Sequence, residues 1–139
     1  MNLVDTSPLV ALIDESQVEN HRRCVETVDS LKGPLLTTRS CFTEAMYLVG
    51  RSCDWQGQRL LWNMFEVSAL LLHWPDSDEY QRMRVLMQKY RDTPMDLADA
   101  SLVTAAEKLR LNRIFTLDSD FYVYRINDKE AFEVVPRAV

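Results

Sequence analysis

Two short apolar runs in this sequence each end in aspartate. Residues 1–4 lead directly to Asp5, and the pair at 114–115 is followed within a few positions by Asp118 and Asp120. In open α/β sheets the carboxyl ends of the strands meet at one edge, where ligands collect. We therefore expect carboxylates from distant parts of the chain to converge at that edge.

Converging carboxylates indicate a particular chemistry. They repel one another, and burial adds a desolvation cost. A hard divalent cation removes that repulsion, since Mg²⁺ takes oxygen ligands in an octahedral array and Mn²⁺ uses similar ligands. Ions held by carboxylates activate water and stabilise the leaving oxygen in phosphodiester cleavage. The acids thus favour a Mg²⁺ or Mn²⁺ site suited to phosphodiester hydrolysis.

Two further aspartates open a stretch of helical periodicity. The spacing predicts a helix over residues 94–110, with Thr93 as N-cap and Asp96 completing a capping box. Asp99 lies at the margin of the apolar stripe, a position that favours a functional acid over a solvated charge. Asp96 is interpreted first as a capping residue and second as a neighbour of the metal site.

Each acid taken alone also has a structural explanation. Asp5, Asp118 and Asp120 suit turns or helix caps, where aspartate is common. Glu44 falls on the polar side of a predicted helix, and a solvated glutamate is the simpler interpretation there. The functional hypothesis therefore rests on the acids as a group.

Composition limits the class of protein. The 139 residues are 47% hydrophobic and 27% charged, which predicts one globular domain over 1–139 that needs no disulfide or metal to fold. Three cysteines without Cys-x-x-Cys spacing predict reduced thiols and a cytoplasmic location. We expect no signal peptide and no membrane span, because the apolar runs are short.

The net charge and the absence of certain motifs disfavour several classes of function. The net charge of -5 argues against a broad basic patch for nucleic acid. Arg22, Arg23, Arg39 and Arg51 are candidates for phosphate contacts, with surface ion pairs as the simpler interpretation. Phosphate-binding and nucleophile-elbow glycine motifs are missing, and the two histidines lack metal-type spacing, which makes zinc improbable.

The order of apolar runs and helical stretches predicts the fold class. Strand candidates alternate with helices, which is typical of an α/β protein with a parallel sheet and helices on both faces. We expect a small sheet of about four to five strands. The strand candidates are 1–4, 35–38, 113–116 and 132–135, residues 67–74 are ambiguous, and helices are predicted at 18–31, 40–53, 55–65 and from 75–77 onward.

Four motifs together resemble PIN-domain ribonucleases, especially VapC-type toxins of toxin–antitoxin pairs. The motifs are Asp5-Thr6-Ser7, Thr43-Glu44-Ala45, Asp96-Leu97-Ala98-Asp99-Ala100 and Thr116-Leu117-Asp118-Ser119-Asp120-Phe121. The resemblance spans nearly the whole chain, and the last two motifs are the most specific. It implies a PIN fold and cleavage of RNA that depends on Mg²⁺ or Mn²⁺.

The resemblance also implies roles for individual residues. Asp5, Glu44, Asp99 and Asp118 take the places of the family's acidic quartet, as catalytic and metal-binding residues. The residues in positions to support those acids are Thr6, Asp96, Thr116 and Asp120.

The implied partners are an RNA substrate, a cognate antitoxin protein and a second copy of the chain. Residues 60–61 and 83–87 are candidate apolar contact surfaces, with burial in the core as the simpler interpretation. Trp55 or Trp74 is a candidate for lining a groove. One alternative function is a non-catalytic PIN-like module that binds RNA or protein. Another is a phosphotransfer domain that uses Asp5. The second alternative is disfavoured, because haloacid-dehalogenase-like domains have a second aspartate two residues later and this chain has Ser7 there.

Overall fold

The computed structural model describes residues 1–138. The elements in chain order are β1 (Asn2–Val4), α1 (Thr6–Ile13), α2 (Val18–Ser30), β2 (Leu35–Thr38), α3 (Arg39–Glu66), β3 (Leu70–His73), α4 (Ser77–Lys89), α5 (Leu97–Leu109), β4 (Arg113–Phe115), β5 (Arg125–Ile126), β6 (Glu130–Ala131) and β7 (Glu133–Val135). A 3-10 helix at Ser119–Tyr122 follows β4.

Five of the strands form a parallel sheet in the order β3-β2-β1-β4-β7, and β5 pairs with β6 as a separate antiparallel hairpin. The strand order reverses between β1 and β4, because β2 and β3 extend to one side and β4 and β7 to the other. Open α/β sheets bind ligands outside the carboxyl ends of the strands at such a point. The predicted small parallel sheet flanked by helices is confirmed.

The two faces of the sheet are covered by different helices because side chains alternate along each strand. On β1, Leu3 packs into the core beneath α4 and α5, together with Met83 and Leu102. The next residue, Val4, packs into the opposite core beneath α1 and α3. The sheet is thus a buried central layer that fixes where each strand ends.

The longest helix, α3, is interrupted at Asp54, which has φ 54° and ψ -155°. This backbone conformation is unfavourable for a residue with a side chain. The separate helices predicted over 40–53 and 55–65 correspond to the two sides of this break. Within residues 1–138, no helix has the length and apolar character needed to cross a bilayer, α3 included.

Several sequence-based assignments of core residues need correction. Within the candidate surfaces at 60–61 and 83–87, Leu61 and Met83 are buried in the core, whereas Leu60 is 46% exposed. Leu86 is also buried, on the side of α4 that faces the core. The ambiguous segment at 67–74 contains β3, which pairs along its length with β2. Burial here is decided by which side of each helix meets the sheet.

A charged network fastens the β5–β6 turn to α4 and α5. Arg82 Nε and Nη2 each donate to Glu107 across 3.0 Å, and the N–H of Asn127 donates to Glu107 Oε2 at 2.7 Å. Arg82 and Lys89 also donate to Asp128 Oδ1 at 3.1 and 2.8 Å. Because the Glu107 side chain is only 11% exposed, its loss leaves poorly solvated donors behind.

We expect Glu107→Ala to lower the free energy of unfolding by about 2 kcal/mol, since Arg82 and the Asn127 N–H then lose their shared acceptor. Urea denaturation measures this change. Glu130→Ala is the matched control, because Glu130 is exposed and makes no ion pair within residues 1–138. Equal unfolding midpoints for the two variants would contradict the proposed importance of the network.

Candidate metal centre

Asp5 is fixed at the carboxyl end of β1, where it caps α1. Its Oδ1 accepts from the Thr6 N–H at 2.7 Å, and its Oδ2 accepts from Thr116 Oγ1 at 2.7 Å. The Asp5 N–H donates to the carbonyl of Phe115 at 2.9 Å. Asp5 is therefore held by the start of α1 and by the end of β4, and it is only 6% exposed. Asp5 is thus the N-cap of α1, the structural role that the sequence analysis also allowed for it.

Asp99 lies in the first turn of α5 and forms a capping box with Asp96. The Asp99 N–H donates to Asp96 Oδ1 at 2.8 Å, and the Asp96 N–H donates to Asp99 Oδ2 at 3.2 Å. The prediction of Thr93 as N-cap is wrong by three residues. The Thr93 N–H instead donates to the carbonyl of Tyr90 at 3.0 Å, so the chain is still in the preceding turn. The helix begins later and brings Asp99, at 9% exposure, into a buried site.

Asp118 follows β4 and caps the 3-10 helix. Its Oδ1 accepts from the Asp120 N–H at 2.9 Å, and its own N–H donates to Thr116 Oγ1 at 3.0 Å. Thr116 is therefore a bridge, because the same hydroxyl donates to Asp5 and accepts from the Asp118 backbone. Asp120 thus supports Asp118 through a hydrogen bond from its backbone N–H.

The three aspartates converge from three separate parts of the chain. One carboxylate oxygen from each of Asp5, Asp99 and Asp118 lies within 4.8 Å of the other two. These residues line a cleft of about 410 Å³ that is also bordered by Thr6, Ser7, Val10, Gln17, Asn20, Glu44, Leu48, Asp96 and Leu117. Glu44 is exposed and lies on the α3 wall of this cleft, outside the group of three.

Burial and mutual repulsion disfavour the charged forms of these acids. Burial raises the pKa of Asp5 to about 6, even though hydrogen bonds from Thr116 and Thr6 act in the opposite direction. Burial first, and then the charges of Asp96 and Asp5, raise the pKa of Asp99 well above its usual range. Burial next to Asp118 also raises the pKa of Asp120. A cation bound between these carboxylates would offset both the repulsion and the cost of burial.

The donor set fits a hard divalent cation. Octahedral Mg²⁺ with ligands at about 2.1 Å places opposite oxygens about 4.2 Å apart, so oxygens within 4.8 Å need little movement to share one ion. The buried Ser7 Oγ, at the start of α1 next to Asp5, has no hydrogen-bond partner within the described chain. Both histidines are engaged elsewhere, His21 with the Ala11 carbonyl and His73 with Glu79.

The sequence analysis missed several residues at this site. Cys41 Sγ lies 4.0 Å from Asp5 Oδ1, and burial with the nearby Asp5 raises the pKa of its thiol to about 12. The thiol is therefore neutral at physiological pH. Gln17 and Asn20, at the start of α2, line the cleft as well. Cys41 precedes Glu44 by three residues, and this helical spacing was the available signal.

Comparison with known proteins gives consistent matches. The family profile described as PIN domain matches residues 3–127. The chain is 27% identical over 135 residues to Ribonuclease VapC26 of Mycobacterium tuberculosis, covering 96% of this chain and 99% of that protein.

Three solved structures share the fold. The crystal structure of VapC20 of M. tuberculosis, described as a Sarcin-Ricin loop cleaving toxin, has a TM-score of 0.81 at 15% identity, covering 96% of this chain and 98% of that one. A toxin–antitoxin complex from Klebsiella pneumoniae has a TM-score of 0.65 at 19% identity, with 87% and 90% covered. FitAcB from Neisseria gonorrhoeae has a TM-score of 0.61 at 18% identity, with 95% and 96% covered.

We expect Asp99→Asn to stabilise the metal-free protein at pH 8 by about 2 kcal/mol and to leave its stability at pH 4 unchanged. The raised pKa of Asp99 means that the folded protein holds this proton more tightly than the unfolded chain. The favourable contribution is therefore present at low pH and is lost as pH rises through the folded-state pKa. Asparagine removes the charge and keeps an acceptor for the Asp96 N–H.

Thermal melts in EDTA at several pH values measure this effect. Asp29→Asn is the control, because Asp29 is an exposed acid on α2. A pH-independent difference between Asp99→Asn and the wild type would contradict repulsion as its cause.

Proposed function

Because the family profile spans most of its length, this chain belongs to the PIN domain family, and from that premise we propose that it is a metal-dependent endoribonuclease acting as the toxin of a type II toxin–antitoxin pair. The observation that carries the proposal is the convergence of Asp5, Asp99 and Asp118 within 4.8 Å. The similarity to a protein named as a ribonuclease extends over almost the full length of both chains and supports the same conclusion.

We assign Asp5, Asp99 and Asp118 as ligands of Mg²⁺ or Mn²⁺, and Glu44 as the fourth catalytic acid. When bound, such an ion lowers the pKa of water and offsets the charge of a phosphate group. Glu44 is exposed on the cleft wall and makes no hydrogen bond through its carboxylate within residues 1–138, so it is free to orient a water or accept its proton.

The supporting residues hold these acids in place. Thr116 donates to Asp5 and receives the Asp118 N–H, which fixes the distance between the β1 and β4 ends. The Thr6 and Asp96 N–H groups each occupy one oxygen of a ligand carboxylate, and the Asp120 N–H does the same for Asp118. Each of these contacts limits rotation of a carboxylate, which is how supporting contacts orient metal ligands.

We expect structured RNA to be cleaved by the wild type in Mg²⁺ or Mn²⁺ and not in EDTA. Asp5→Asn and Asp99→Asn should each reduce the cleavage rate by at least about 100-fold, since they remove a charged ligand that neutral amide groups replace poorly. Gel analysis of labelled RNA measures the rates. Asp29→Asn is the matched control and should cleave at the wild-type rate.

Two results would count against this function. Equal cleavage by wild type, Asp5→Asn and Asp99→Asn would assign the activity to a contaminant or to another site. RNA binding that is independent of metal and yields no products would instead favour a non-catalytic binding module.

We further propose that the protein acts in the cytoplasm, binds a cognate antitoxin and forms a homodimer. One similar structure is described as a toxin–antitoxin complex. The three free cysteines agree with a reducing compartment.

An aromatic cluster on α3 is the candidate surface for these protein contacts. Trp62 and Phe65 pack against Phe42 and remain 39% and 40% exposed, and we call these three side chains the aromatic patch. Aromatic side chains exposed together are typical of protein interfaces.

We expect the wild type to run as a dimer in size-exclusion chromatography with light scattering, and Trp62→Lys to shift it to monomer because a charge enters the apolar contact. Leu109→Lys is the matched control, since Leu109 is also 39% exposed but lies at the end of α5. A dimer that persists in Trp62→Lys would place the contact elsewhere, and a monomeric wild type would refute the dimer.

A further inference from the structure

An exposed tryptophan stacked on an arginine follows the end of β3. Arg39 Cζ lies 4.9 Å from the centre of the Trp74 ring, within the range of attractive cation–π contacts. Trp74 is 63% exposed. The pair therefore presents both an aromatic surface and a cation to the solvent.

The backbone on both sides of Trp74 is firmly anchored. His73 Nε2 hydrogen-bonds to Glu79 Oε2 at 2.7 Å, and both side chains are largely buried. Asp76 forms a capping box with Glu79 at the start of α4. Pro75 lies between these two anchors and restricts the backbone further. A side chain displayed from such a rigid segment loses little entropy when it binds a ligand.

Arg39 is not committed to a carboxylate. Within residues 1–138 its guanidinium makes no ion pair and no hydrogen bond, whereas Arg22, Arg82 and Arg113 are each paired with glutamate. Its planar N–H groups are available, and guanidinium binds phosphate oxygens in a bidentate manner. In an acidic protein this uncommitted cation is positioned for an anionic ligand.

The strand register places this pair close to the metal centre. Thr38 pairs with His73 in the β2–β3 ladder, so Arg39 and Trp74 directly follow paired positions. Continuing the β1–β2 register, in which Leu3 pairs with Leu36, sets Asp5 opposite Thr38. Trp74 is then two strands from Asp5, or roughly 10 Å along the same edge of the sheet.

Building on the proposed ribonuclease function, we propose that Arg39 and Trp74 form a nucleotide subsite for single-stranded RNA. The free face of Trp74 stacks on a base, and Arg39 contacts an adjacent phosphate. With a rise of about 3.4 Å per stacked nucleotide, this base lies roughly two or three nucleotides from the phosphate at the acids. Stacking of this kind tolerates any base and adds affinity without sequence readout.

The location favours RNA over a protein partner for this surface. The pair lies outside the cleft that holds the three aspartates, and a strand that leaves this cleft along the sheet edge toward β3 reaches it. Stacked aromatic rings next to arginine are the usual elements of single-strand binding. The exposed side chains of the aromatic patch belong to the second half of α3, beyond Asp54, and present apolar surface better suited to protein contact.

Binding is measured with a fluorescein-labelled eight-nucleotide single-stranded RNA by fluorescence anisotropy, in the Asp99→Asn background so that the RNA stays intact. We expect Arg39→Gln and Trp74→Leu each to raise Kd about tenfold, and Trp74→Phe to restore most of the affinity. Only Arg39→Gln should reduce the slope of log Kd against log salt, by about 0.7, because it alone removes a phosphate contact.

The controls match the variants in chemistry but not in location. Arg110→Gln removes an exposed arginine from the opposite edge of the sheet, next to Met1 and Asn2. Trp55→Leu removes a tryptophan that is 59% exposed in the second half of α3. Both should bind RNA like the parent. Matching melting temperatures confirm that each variant is folded.

Unchanged affinity in Arg39→Gln and Trp74→Leu overturns the subsite, as does the absence of RNA binding by the parent. A Trp74→Leu variant that loses self-association while keeping its RNA affinity also overturns it, because the surface then serves a protein contact. Cleavage by the wild type is scored separately. The subsite and the nuclease activity can therefore fail independently.

Discussion

Repulsion among three aspartates at one edge of the sheet is the constraint on which the other features of this structure depend. Asp5, Asp99 and Asp118 are held within 4.8 Å of one another by donors that the fold places rigidly. The Thr116 hydroxyl and the N–H groups of helix starts supply these donors. The unfavourable energy is tolerated because two cores on either side of the sheet stabilise the strand ends. Folding thus assembles a site at which a bound cation would offset the repulsion.

The carboxylates that we propose as metal ligands also cap helices. Asp5 caps α1, Asp99 completes the capping box of α5, and Asp118 caps the 3-10 helix. In Asp99 and Asp118, one oxygen accepts a backbone N–H and the other makes no protein hydrogen bond among the described residues. The choice between a capping acid and a functional acid, which the sequence posed for each residue, is therefore not a real alternative. One aspartate can serve both purposes because it has two oxygens.

Much of the fold and the grouping of the acids were predictable because both depend on local patterns. Apolar runs that end in Asp5 or shortly before Asp118 mark strand ends, and parallel strands bring such ends together. The cap of α5 was misplaced because Thr93 and Asp96 are both good capping residues and only the turn at Tyr90 decides between them. The Arg39–Trp74 stack was not predictable, since it depends on the pairing of β2 with β3.

The break at Asp54 divides α3 into two pieces with different surfaces. The first piece carries Glu44 on the wall of the cleft, and the second carries the exposed part of the aromatic patch. Across this break the second piece folds back on the first, because Phe42 contacts Trp62 and Phe65, and Gln58 Nε2 donates to the Met46 carbonyl at 3.4 Å. A protein that docks on the distal piece would therefore rest on side chains in direct contact with the helix that carries Glu44.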